Sequence, residues 1–129
     1  MQAGMKELCK SLHQAGYQVS IETHGETDIA EVTPFARIIM DIKTPGSGMC
    51  RGGFKKNLPH LKATDEIKFV ITSPEDYDWA KETLTQITFP TPHILFSPAL
   101  PALGSPGKIF GVDLRWLAEK IIADGLPVR

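Results

Sequence analysis

Residues 36–42, Ala-Arg-Ile-Ile-Met-Asp-Ile, restrict the fold more than any other stretch of this sequence. A near-continuous apolar run of strand length suits a strand covered on both faces, and such strands belong to parallel sheets. Parallel neighbours need a crossover between them, so the rest of the chain must alternate strands with helices or long connections. It does. Val19-Ser20-Ile21-Glu22-Thr23 reads as a short strand turned by Gly25, and residues 67–72 and 93–97 read as two more. Met5, Leu8, Cys9, Leu12 and Ala15 recur at helical spacing over residues 2–15, and Gly16 ends that helix. Ser73-Pro74-Glu75-Asp76 is a helix start: Ser as N-cap, Pro at the first helical position, acids in the first turn. Tyr77, Ala80 and Leu84 carry its apolar stripe. Asp113 caps a last helix through Leu114, Leu117, Ile121 and Ile122, which Gly125 ends. A glycine-rich loop over residues 44–53 leads to a short helix around 55–61. The predicted fold class is α/β, a parallel sheet of βα units.

The chain has 129 residues, which suits one domain. Its net charge of −1 gives no field that would draw nucleic acid or a membrane surface. No run of about 18 consecutive apolar residues is present, and no apolar core follows the N-terminus as in a signal peptide. Cys9 and Cys50 form neither a CxxC nor a Cys/His metal spacing, so a reduced, cytoplasmic setting is expected. The sequence opens inside a helix with no strand before it. It closes on Leu126-Pro127-Val128-Arg129, which reads as the approach to another strand. Residues 1–129 are therefore expected to form a single partial domain, truncated at the N-terminus and at the C-terminus, with open sheet edges.

Ligands of parallel β/α folds gather at the C-terminal ends of the strands. Residues 22–26, 41–44, 72–73 and 97–100 occupy that edge. Residues 43–62 hold five basic side chains (Lys43, Arg51, Lys55, Lys56 and Lys62) and no acidic one, a balance that favours an anion. The phosphate fingerprints do not complete. Phe54 stands where a P-loop needs Lys, and Arg51 replaces the third glycine after Gly46 and Gly48. The loop is either an anion-facing segment or a plain surface loop. Glu22 suits the two hydroxyls of a ribose, and Lys43 suits a carboxylate or phosphate; alternatively Glu22 and Asp41 each do no more than solvate a strand end. His24 is an acid–base candidate or a solvated loop histidine. His13, His60 and His93 share no metal spacing, no nucleophile elbow appears, and Trp79 and Trp116 sit on helices as packing residues.

Four segments in order carry a resemblance. They are Val19-Ser20-Ile21-Glu22-Thr23-His24-Gly25, Met40-Asp41-Ile42-Lys43-Thr44-Pro45-Gly46-Ser47-Gly48, Asp65-Glu66-Ile67-Lys68-Phe69-Val70-Ile71 and Ile94-Leu95-Phe96-Ser97-Pro98. The chain resembles the C-terminal two-thirds of the 7-carboxy-7-deazaguanine synthase family, radical S-adenosylmethionine enzymes. The resemblance implies part of an incomplete (βα) barrel and a homodimer. It implies a carbon–nitrogen lyase that converts 6-carboxy-5,6,7,8-tetrahydropterin to 7-carboxy-7-deazaguanine in queuosine biosynthesis, with a 4Fe–4S cluster, S-adenosylmethionine and Mg²⁺. By position, Glu22 and Thr23 resemble the segment holding the cofactor ribose. Asp41, Ile42 and Lys43 resemble a Ser-Pro-Lys triplet lining the same cofactor, with only Lys43 unchanged. Ser97, Pro98, Ala99 and Leu100 resemble the last cofactor segment, with Ser97 in place of a Gln. The family's three-cysteine cluster loop, its Mg²⁺ threonine and its Gly-Gly-Glu-Pro segment have no counterpart here, so the isolated chain is expected to be inactive, with no catalytic residue and no metal ligand of its own. Two competing readings are a non-enzymatic α/β nucleotide-binding or scaffold domain and, more remotely, a phosphate-ester enzyme built on the 44–56 loop.

Overall fold

Each strand-like segment forms a strand, and all pair in parallel, in a computed structural model that describes residues 2–99 and 111–129. β1 (Ser20–Thr23), β2 (Arg37–Ile42), β3 (Glu66–Ile71) and β4 (Ile94–Pro98) lie side by side in chain order. The ladder sets Glu22 beside Ile39, Ile39 beside Glu66, Asp41 beside Lys68, and Val70 beside Ser97. β1 and β4 do not meet, so the sheet is open, as in an incomplete barrel. α1 (Met5–Gln14) precedes β1, α2 (Pro74–Gln86) joins β3 to β4, and α3 (Leu114–Ala123) follows β4. Two 3₁₀ segments, Pro45–Ser47 and Gly53–His60, stand between β2 and β3, the second over the stretch expected to form a short helix. Pro59 lies inside the second and lacks the N–H that a regular helix would use.

The predicted caps form. Ser73 Oγ accepts the N–H of Asp76 at 3.3 Å, and Asp113 Oδ1 accepts that of Trp116 at 2.9 Å. Gly16 and Gly125, both at positive φ, end α1 and α3. In each case two backbone bonds close back on the last turn: Gly16 to His13 and Tyr17 to Leu12, then Gly125 to Ile122 and Leu126 to Ile121. This pairing satisfies the carbonyls a helix end leaves open.

Among the described residues the buried apolar core lies on the helix face of the sheet, and the side chains of the other face stay partly exposed, short of the expected cover on both faces. Ile38, Met40, Ile42, Ile67, Phe69, Ile71 and Phe96 are buried on the helix side with Cys9, Tyr77, Ala80 and Leu117. Ile39, Val70 and Leu95 point the opposite way, stay half-exposed and lie outside that core. The 36–42 run hid this because Ile39 falls on the open face, masking the period of two that Arg37 and Asp41 mark. The open face is otherwise polar: Glu22, Arg37, Asp41, Glu66, Lys68 and Ser97.

Aromatic contacts tie the helices down. Phe69 meets Trp79, Phe89 and Phe96 edge-on, and Tyr77 meets Phe96 and Trp116. After α3 the chain returns to the sheet. Arg129 donates its N–H to the Ile94 carbonyl at 2.9 Å and accepts that of Phe96 at 2.8 Å, a parallel pairing beside Leu95. The strand approach read from Leu126-Pro127-Val128 is thus realised as one paired residue. Among the described residues no helix is long and apolar enough to cross a membrane.

Tyr77 links α2 to α3. Its ring is fully buried, and its hydroxyl donates to Asp124 at 2.7 Å, which Lys81 also reaches at 2.9 Å. The Lys81 ammonium, then the Tyr77 hydroxyl, hold the Asp124 carboxyl below its ordinary range. A folded-state value below the unfolded one stabilises the fold above the unfolded pKa, and that gain is lost as pH falls through the folded value. Asp124→Asn is therefore expected to lower the thermal midpoint at pH 7, with the gap to the parent closing below about pH 4. Thermal unfolding followed by circular dichroism across that range checks it.

Candidate functional site

The C-terminal ends of β1 and β2 open onto a cleft of about 450 Å³ lined by Gln2, Glu22, Thr23, His24, Asp41 and Lys43. A smaller lobe of about 170 Å³ adjoins it, lined by His24, Glu26, Lys43, Met49 and Arg51. His24 and Lys43 border both. Another depression, of about 410 Å³, lies at the opposite end of the sheet around Ser20, Arg37 and Lys62. It is away from the strand ends where this fold places ligands.

Each wall of the cleft has a local cause. Thr23 Oγ1 accepts the N–H of Gly25 at 3.2 Å, and His24 Nδ1 accepts that of Glu26 at 3.1 Å. The connection from β1 to β2 contains no helix, and a side chain from the β2–β3 connection secures it. Asn57, buried to 1% exposure, donates to the carbonyls of Gly25 at 2.6 Å and Thr27 at 2.8 Å and accepts the N–H of Ile29 at 3.2 Å. Lys56 adds a bond to the Glu26 carbonyl.

The glycine-rich loop is similarly held, and the bonds decide what it can do. Asp76, buried at the start of α2, accepts the N–H groups of Gly46 at 2.7 Å and Thr72 at 3.2 Å and the Thr72 hydroxyl. A Cβ at Gly46 would lie 2.5 Å from Thr72 Oγ1 and 2.6 Å from Asp76 Oδ2, so a larger residue would displace the side chains that hold the loop. Glu26 takes the N–H of Gly53 at 3.1 Å. Two carboxylates thus occupy amides that a phosphate cradle would need free, and the loop is a latched support at those positions. Cys50 is half-buried beside it. Burial, then the nearby Asp76 and Glu26 carboxylates, push its thiol above the ordinary range, away from a reactive thiolate.

Not all the sequence-predicted residues come together. Glu22, Thr23, Asp41 and Lys43 line the one cleft. Asp41 is 8% exposed; Oδ2 meets Lys43 Nζ at 2.6 Å, while Oδ1 is buried with no hydrogen-bond partner. Ile42 turns its side chain into the core and leaves only backbone for a ligand. Ser97 reaches the open face opposite Val70, Pro98 pairs beside Ile71, and the Ala99 N–H is bound to the Ile71 carbonyl at 2.9 Å. These three stand on the far strand and line neither lobe. Leu100 lies outside the described residues.

Two residues escaped the sequence reading. Lys68 pairs with Glu22 across the open face, and this bond, together with the Asp41 and Glu66 carboxylates, holds its ammonium above the ordinary range against the opposing effect of burial. Its signal was a lone lysine in the apolar run Ile67-Lys68-Phe69-Val70-Ile71. Asn57 gave no signal, because a polar residue on a short helix between strands looks solvated.

Comparison with known proteins follows this geometry. A 7-carboxy-7-deazaguanine synthase of Koribacter versatilis is 39% identical over 121 residues, covering 89% of this chain and 53% of the relative. Those of Methanospirillum hungatei and Chlorobaculum tepidum are 33% and 32% identical, over 95% and 100% of this chain and 47% and 56% of the relatives. This chain is a relative of the 7-carboxy-7-deazaguanine synthases. It spans about half the length of the curated synthases it matches. No family model and no solved structure matches it. The resemblance read from the four ordered segments is borne out.

Asn57→Ala is expected to release the 24–29 connection. It strands two carbonyls and one N–H, at a cost of about 1–3 kcal/mol. Urea unfolding reads the cost, and amide exchange at Ile29 should accelerate relative to the strands.

Proposed function

We propose that this chain forms the cofactor-facing side of a 7-carboxy-7-deazaguanine synthase, with the Glu22–Asp41–Lys43 cleft as its S-adenosylmethionine cradle. The observation that carries the reading is the juxtaposition of those three side chains in one cleft at the strand ends of a chain related to these synthases. In this reading the intact enzyme is a radical S-adenosylmethionine lyase with a 4Fe–4S cluster and Mg²⁺, contracting the ring of 6-carboxy-5,6,7,8-tetrahydropterin, and it works as a homodimer.

The residues present fit one of these groups. An ionised carboxylate accepts two hydroxyl donors at once, so Glu22 suits the ribose diol, with Thr23 and His24 fixing the backbone beside it. Lys43, already oriented by Asp41 at 2.6 Å, presents an ammonium to an acceptor on the ligand. Bound S-adenosylmethionine supplies the hydrogen-abstracting chemistry of such enzymes; the chain's own part is to bind and orient it. The cluster and Mg²⁺ do not fit these residues. Among the described residues no group of three His, Cys, Asp or Glu side chains is placed to hold a metal, and Cys9 is buried on α1.

Titration calorimetry with S-adenosylmethionine tests the cradle. Glu22→Ala is expected to weaken binding by about 10- to 100-fold, the value of hydrogen bonds to a charged group; equal affinity in parent and variant would remove Glu22 from the site. After iron and sulfide reconstitution the isolated chain is expected to show no 4Fe–4S absorbance and no cleavage of S-adenosylmethionine. A stoichiometric cluster on this chain would contradict that assignment.

A further inference from the structure

Lys68 stands mid-strand on the open face, where its ammonium is only partly solvated. A charge in such a place needs a counter-charge, and the sheet offers two. Glu22 holds it across β2. Asp41 is its direct neighbour in the β2–β3 ladder. Lys43 satisfies Asp41 Oδ2, while Oδ1 is buried with no donor. A buried carboxylate oxygen without a donor is unusual in a folded protein. An ammonium has three protons to give, so one lysine can serve either acid. Glu66, the remaining acid on this face, already receives Arg37 and Arg129 through Oε2, at 3.1 Å each.

We propose that Lys68 is a shared counter-ion with two seats, a positioning residue that holds Glu22 as seen here and moves onto Asp41 Oδ1 when a ligand diol takes the Glu22 carboxylate. The exchange balances. Glu22 trades an ammonium for two hydroxyl donors, Asp41 gains the donor it lacks, and no charge is left bare. The ligand class is a neutral vicinal diol, whose two hydroxyls replace the ammonium as donors to the Glu22 carboxylate. The identity of that ligand rests on the cofactor reading above; the two seats do not.

The lysine ammonium groups of the full chain, followed by nitrogen-detected NMR through a pH titration, decide the matter. In Glu22→Gln the Lys68 ammonium is expected to take the Asp41 seat and still titrate above the ordinary value of about 10.4. Adding Asp41→Asn is expected to return it to that value. A return in Glu22→Gln by itself would overturn the proposal, and this conservative single variant is enough to show it. S-adenosylmethionine added to the parent chain is expected to move the Lys68 signal toward its position in Glu22→Gln. If the cofactor moves nothing while Glu22→Gln behaves as stated, the cofactor reading fails and the two seats stand.

Discussion

Side chains alternate across a β-strand, so a sheet that hides one face commits every second residue to the other. That rule organises this molecule. Burying Ile38, Met40 and Ile42 against the helices turns Arg37, Ile39 and Asp41 outward, and the same holds for Lys68 between Ile67 and Phe69. The core is therefore one-sided, and its aromatic contacts all run through Phe69 or Tyr77 or end on α1 and the His13–Phe35 pair. The charges gathered on the open face are the direct counterpart of that core, and the candidate site is the upper end of that face.

The site depends on connections that lack α-helices. Only the β3–β4 crossover carries one; the two before it are turns and 3₁₀ segments. Irregular backbone leaves amides and carbonyls that need partners, and a few buried polar side chains supply them. Asn57 serves the connection after β1, and Asp76 serves the loop after β2 and the end of β3. Asn57 and Asp76 come from later in the sequence than the loops they hold, so each ties two connections of the chain together.

Much of this was legible in the sequence. The strands, the Ser73 and Asp113 caps and the glycine ends of α1 and α3 each rest on a local rule, and local rules survive folding. What was not legible depended on position in the sheet. The 36–42 run gave the strand but not its open face, since Ile39 looks identical to a core residue until its neighbours Glu22 and Glu66 are known. The glycine-rich loop kept two readings open until Asp76 and Glu26 were found on its amides. Glu22 and Lys43 were identifiable as strand-end residues; their link through Asp41 and Lys68 spans residues 22 to 68 and has no local signature.

The charged open face also bears on how the protein behaves in concentrated solution. A half-covered sheet with an unpaired strand at its margin is ordinarily a template for stacking and edge-to-edge association. Here two such faces brought together would press Glu22, Arg37, Asp41, Glu66 and Lys68 of one molecule onto the same set of another, desolvating ions that are already paired at home. Glu22 and Asp41, which line the candidate cleft, belong to that charged set, so variants that neutralise several of these residues test solubility as much as binding.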